Sequence, residues 1–219
     1  MRLVLYGFHI CPFVEQIAIL IREKQLNCEK VWVDIRNKPD WFSNLSPLGK
    51  VPILSVDGKV IFESYVINEF LEEIFPKLPL HPHDPVQRAQ NRAWILWGNL
   101  LTVDAYNLSI APTGEAFLHS KNLVESKLEK LEMLLQSQPY FNGEQFCLID
   151  LCYAPLFYRL QHLAELFSVE LLASYPKLQS WSQLILLRPS VISSFTPNFA
   201  AEFKTLLALK GSYLISNCN

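Results

Sequence analysis

The stretch that most restricts how this chain can fold is residues 51–63, where VPILSV and KVIFE flank Asp57-Gly58. Both runs are strand-like, and Asp-Gly between two such runs favours the positive φ angles of a tight hairpin turn. The residues before it show what the hairpin completes. Residues 3–6 (LVLY) form a short apolar run suited to a buried strand. Pro12 then opens a helical pattern that reaches Lys24, with Phe13, Ile17, Leu20 and Ile21 at spacings of three and four. Residues 29–34 (EKVWVD) alternate as a second strand, and residues 40–45 (DWFSNL) read as a short helix or turn. Ser64 begins a helix with Ile67, Phe70, Leu71 and Ile74 on one face. The order is β-α-β-α-β-β-α.

That is the element order of the thioredoxin fold with its closing hairpin. Residues 76–85 (PKLPLHPHDP) then carry four prolines, a density that no regular element survives. Beyond them the pattern is helical. Residues 86–108 are rich in Trp, Leu and Ala, residues 121–136 place Val124, Leu128, Leu131 and Leu135 on one face, and further helices follow around 150–166, 176–188 and 199–209. The sequence therefore predicts an α/β thioredoxin-like N-terminal domain over residues 1–76, a linker over 77–85 and an all-α C-terminal domain over 86–219.

The formal charge is −2, from 19 basic and 21 acidic side chains, so no field of one sign recruits nucleic acid or an anionic membrane. No apolar run approaches the roughly 18 residues of a membrane span. A soluble, cytoplasmic protein is expected, with neither nucleic acid nor membrane as partner. The five cysteines are Cys11, Cys28, Cys147, Cys152 and Cys218. An odd, scattered set is no disulfide framework, and without a Cys-x-x-Cys pair it has no zinc spacing. His81 and His83 flank a proline but lack companion ligands, so no metal is expected.

Cys11-Pro12 lies between a strand and a helix. The sulfur is thereby placed at a helix N-terminus, where free amides and the helix dipole favour an anion. Such a setting can lower a thiol from about 8.5 to about 3.5–7.5. Position 14 is Val, so no local second cysteine resolves a disulfide formed at Cys11, and an external thiol must do so. The alternative is an inert buried thiol; the helix start and the following proline argue against inertness. Val51-Pro52 begins the third strand, either as an ordinary edge proline or, as in thioredoxin-like proteins, as a cis bond beside the thiol. At Glu63-Ser64 the fourth strand turns into a helix. Ser64 suits an N-cap and, with the free amides, a bound carboxylate, while Glu63 suits an ammonium. A plain cap beside a solvated charge explains the same residues more blandly.

CPF at 11–13, NKPDWF at 37–42, P-x-G-x-V-P-I-L across 47–54 and FES at 62–64 together resemble the glutathione transferase superfamily, and within it the omega class. The resemblance spans nearly the entire chain. It implies glutathione as co-substrate, with Cys11 forming the mixed disulfide. Phe13 would line the site, Lys38 would hold the glycine carboxylate with Ile35 nearby, Val51 would pair with the cysteinyl backbone, and Glu63 and Ser64 would hold the γ-glutamyl end. A small disulfide or electrophilic second substrate would meet Tyr106, Phe199 and Phe203, unless those are core aromatics. The implied activity is a glutathione-dependent thiol transferase or oxidoreductase, with dehydroascorbate a possible substrate. A conjugating transferase and a non-enzymatic regulatory protein on the same scaffold are the alternatives. The resemblance also implies a homodimer. Asp150 matches the family's helix-capping box, but Cys147 replaces its hydroxyl residue, which predicts a weaker cap.

Overall fold

The computed structural model describes residues 1–34 and 37–216. The first half of the chain runs β1 (Leu3–Gly7), α1 (Pro12–Glu23), β2 (Cys28–Trp32), α2 (Asp40–Leu45), β3 (Ile53–Val56), β4 (Lys59–Phe62) and α3 (Ser64–Ile74). The sheet order is β2-β1-β3-β4, with β1 and β2 parallel and β3 antiparallel to both its neighbours. Parallel neighbours need a crossover, and α1 supplies it. Asp57 and Gly58 close the β3–β4 hairpin at φ 48° and 86°, as their sequence predicts. β2 stops at Trp32, short of the expected Asp34, because β1 pairs Gly7 with Trp32 and ends there. The core of this half joins Leu3 and Leu5 of β1 to Ile17, Leu20 and Ile21 of α1 and to Ile67 and Leu71 of α3.

No helix or strand occupies residues 75–84. The second half is helical: α4 (Pro85–Ser109), α5 (Gly114–Leu134), α6 (Leu148–Phe167), α7 (Pro176–Leu186), α8 (Pro189–Ile192), α9 (Phe199–Leu209) and α10 (Tyr213–Ser216). α6 is apolar on nearly every face, which marks a helix enclosed by others. It packs against α1, α4 and α7. Gly98 of α4 makes the α4–α6 approach possible. A Cβ there would lie 2.6 Å from the Tyr153 ring. Tyr153 in turn donates its hydroxyl to the Trp94 carbonyl at 2.8 Å.

The Cys147 thiol donates to the Gln145 carbonyl at 3.3 Å and makes no cap hydrogen bond, so the start of α6 is held by Asp150. Asp150 Oδ2 accepts the Cys147 amide at 2.7 Å. Its Oδ1 accepts the Phe141 amide at 2.9 Å and the Trp181 indole N–H at 2.6 Å. Three donors thus converge on one buried carboxylate. No described helix is long and apolar enough to cross a membrane.

Candidate active site

Cys11 is the N-cap of α1, and Pro12 and Phe13 open the helix. The Cys11 carbonyl accepts the amides of Val14 and Glu15 at 3.1 and 3.0 Å, and the Cys11 amide bonds the Phe8 carbonyl at 3.2 Å. The thiol is thus at a helix start, as the sequence predicts, but it is only 5% exposed. Burial pushes it up to about 11, against the pull of the Val14 and Phe13 amides. The acidic thiol expected from the sequence is overturned here: removing the sulfur from water outweighs what two amides return.

Two cavities are lined by sequence neighbours of Cys11, Phe13 in one and Phe8, His9 and Ile10 in the other, and Cys11 itself lines neither. The first, of about 430 Å³, is lined by Phe13, Val51, Pro52, Glu63 and Ser64, with Lys50, Tyr65 and Asn99 also on its wall. Val51-Pro52 is a cis peptide bond. Three stretches distant in sequence meet at this crevice, and four of these five residues are ones that the sequence singles out for glutathione. Glu63 precedes α3 at φ 68°, a conformation that side-chain-bearing residues adopt at a cost. Glu63, and not Ser64, is the N-cap. Ser64 is the first helical residue, so its expected capping role is withdrawn, and the Glu63 side chain makes no cap hydrogen bond.

Lys38 is placed differently from expectation. Its Nζ donates to the Gly49 carbonyl at 2.8 Å, and Lys38 does not line the crevice. Lys50, three residues beyond Pro47, lies on the wall instead. Its loop is fastened by Ser46, whose Oγ accepts the Lys50 amide and donates to the Lys50 carbonyl, both at 2.8 Å. No motif marked Lys50; only the turn that faces it into the crevice does. Ile35 lies outside the described residues.

The second cavity, of about 650 Å³, lies between His9, Ile10, Trp32 and α9. His9 stacks on Trp32 with ring centroids 4.2 Å apart. α9 turns Asn198, Ala201, Glu202, Thr205, Leu206 and Leu209 toward it. Phe199 and Phe203, expected at a second-substrate site, are 1% and 3% exposed on the opposite side of α9. They stack on each other, and Phe199 packs edge-on against Tyr158 and His162 of α6. The aromatic stripe is the core face of α9, and a mixed face of polar residues, alanine and leucines lines the cavity. Tyr106 is half-buried on α4 and lines neither cavity.

Among the described residues, no group of three or more His, Cys, Asp or Glu side chains converges as metal ligands. His81 Nε2 instead lies 2.9 Å from Glu69 Oε1.

A thioredoxin-like sheet with a cysteine at the start of its first helix and a cis-proline, followed by an all-helical half, defines the two-part class of fold to which the chain belongs. The profile of the glutathione S-transferase N-terminal domain matches residues 5–83, and that of the glutathione S-transferase C-terminal domain matches residues 115–184. The chain belongs to the glutathione S-transferase family. It is 30% identical over 187 residues to glutathione S-transferase omega-1 of Mus musculus, covering 80% of this chain and 73% of that protein. It is 35% identical over 159 residues to the stringent starvation protein A homolog of Haemophilus influenzae, covering 71% of this chain and 74% of that protein. Among solved structures, glutathione transferase Omega 3C from Trametes versicolor superposes with a TM-score of 0.80 at 29% identity, covering 90% of each chain.

Proposed function

We infer that the protein is an omega-type glutathione-dependent thiol transferase that works through Cys11. The observation that carries this reading is the juxtaposition of a cysteine at the start of α1 with a crevice walled by Phe13, Val51, cis-Pro52, Glu63 and Ser64. Glutathione would lie along Val51, its γ-glutamyl carboxylate near Ser64 and the α3 amides, and its ammonium near Glu63. Lys50 takes the place expected of Lys38 for the glycine carboxylate. The second substrate would enter the cavity between His9, Trp32 and α9.

The cycle has two exchanges. The Cys11 thiolate attacks the glutathionyl sulfur of a mixed disulfide, that S–S bond breaks, and the departing thiolate takes up a proton. Glutathione thiolate then attacks the Cys11 adduct, forming glutathione disulfide and returning Cys11 as thiolate. With dehydroascorbate as oxidant, two glutathiones supply its two electrons and two protons. We place the protein in the cytoplasm as a homodimer.

The test is intact mass after incubation with oxidised glutathione, for wild type and Cys11→Ala. One glutathione added to wild type only, and released by reduced glutathione, is the expected result. No adduct on folded wild type sinks the reading. A second reading is then preferred, a non-enzymatic regulatory protein on the same fold. The burial of Cys11 favours it, as does the relationship to the starvation protein homolog. Failure to bind immobilised glutathione would select it.

A further inference from the structure

The Cys11 stretch belongs to the first half of the chain, yet it is held from the second. Arg159 of α6 is 6% exposed, and its guanidinium spans three acceptors. Nη2 donates to the Ile10 carbonyl at 2.5 Å. Nη1 donates to Glu15 Oε2 and to the Pro155 carbonyl, both at 2.7 Å. Ile10 immediately precedes Cys11. Glu15 follows it by one turn, and the Glu15 amide bonds the Cys11 carbonyl at 3.0 Å. One cation thus grips the chain on both sides of the thiol. Phe199 covers it, with its ring 5.2 Å from the guanidinium carbon.

Only a planar fork makes this set of contacts, because a lysine ammonium is a single point of charge. Stability alone does not account for the pair, since apolar replacement of a buried ion pair is often neutral or better. Glu15 even keeps one buried oxygen, Oε1, without a hydrogen-bond partner. Both charges act on the thiol with opposite sign: Glu15 raises it and Arg159 lowers it. Tyr158, the neighbour of Arg159 on α6, is the further titratable group that feels both.

We propose that Arg159 and Glu15 are a positioning pair through which the helical half sets the placement and reactivity of the Cys11 thiol. This rests on Cys11 being the reactive group of the site. The test is the rate of Cys11 alkylation by iodoacetamide against pH on the full chain, read at the Cys11 peptide by mass spectrometry. Wild type, Glu15→Gln and Arg159→Met are compared, with circular dichroism to establish folding. The titration midpoint is expected to fall by about one pH unit in Glu15→Gln and to rise by a similar amount in Arg159→Met. A merely structural pair would loosen in either variant, admit water to the thiol and lower both midpoints. Shifts of the same sign, or no shift in either, overturn the proposal. If Arg159→Met does not fold, Glu15→Gln decides with Arg159→Lys, which keeps the charge. A Glu15→Gln midpoint that stays put or rises, or an Arg159→Lys midpoint that moves as far as Glu15→Gln, overturns it. Adduct formation with oxidised glutathione, measured on the same wild-type sample, separates failure of the thiol-transferase reading from failure of the pair.

Discussion

At pH 7 a thiol that titrates near 11 is thiolate in only about one molecule in ten thousand, against about 3% for an ordinary cysteine. A more basic thiolate is a better nucleophile, with a Brønsted slope of about 0.4–0.5. Over about 2.5 units this recovers roughly 10- to 18-fold of a ~300-fold loss, so attack by Cys11 in the free protein is slowed roughly 20- to 30-fold. Its alkylation rate should therefore climb about tenfold per pH unit from pH 7 to pH 10; a plateau below pH 8 contradicts the burial argument. Glu15 gives a second pH dependence. Burial pushes its carboxyl up to about 7 from an ordinary 4.5, despite Arg159. The folded chain then holds this proton more tightly than the unfolded chain. The associated stability is full below about pH 4.5 and is lost as pH rises to about 7. Glu15→Gln should flatten that decline, seen as melting temperatures of the two proteins at pH 5 and pH 7.5. Glu63→Gly should relieve the positive φ and stabilise the fold by about 0.5–1 kcal/mol while weakening glutathione retention. At this scale the positions of the candidate residues were legible and their setting was not. CPF and FES name Cys11, Glu63 and Ser64, whereas Arg159, which bonds the Ile10 carbonyl and Glu15 on either side of Cys11, is 148 positions away and carries no motif.

At the scale of elements, local pattern carried far. The faces of α3 and α5 were readable because Ile67 and Leu71, and Val124, Leu128 and Leu131, recur at helical spacing and are fully buried. α9 was readable as a helix but not for its role. Sequence alone left Phe199 and Phe203 open between binding and core, because aromatics serve both, and only the packing against α6 decides between them. Helix α6 makes its own prediction. Asp150→Ala removes the acceptor of three N–H groups: the N-cap amide of Cys147, the Phe141 amide of the preceding loop and the Trp181 indole. A loss of about 3 kcal/mol or more is expected in urea unfolding. Gly98→Ala drives a methyl into the Tyr153 ring and should cost about 1–3 kcal/mol by the same measurement.

Across the whole molecule, α1 joins the two halves along its length. Gln16 donates to Asn99 of α4 at 2.9 Å and to the Cys152 carbonyl of α6 at 2.8 Å. Near its end, Glu23 pairs with Arg188 at 2.9 Å and accepts the Ser190 hydroxyl. Just after the helix, buried Lys24 meets Glu72 of α3 at 2.7 Å and donates to the Phe75 carbonyl at 2.8 Å. Glu72 then accepts the Leu80 amide at 3.0 Å, and the Leu80 carbonyl accepts the first amide of α6 at 2.8 Å. One cooperative transition is expected, with tryptophan signals from the helical half and thiol exposure in the first half coinciding; two separated transitions would refute this. None of these pairings was visible in sequence, since each spans a distance that periodicity does not measure. The proline-rich stretch read as a spacer, yet its backbone is part of this ladder of contacts. It follows that covalent continuity between residues 75 and 84 is not what keeps the halves together. A protease that nicked the stretch would leave two fragments clasped as one particle, and neither fragment, expressed alone, would have anywhere to hide the apolar side that its counterpart covers.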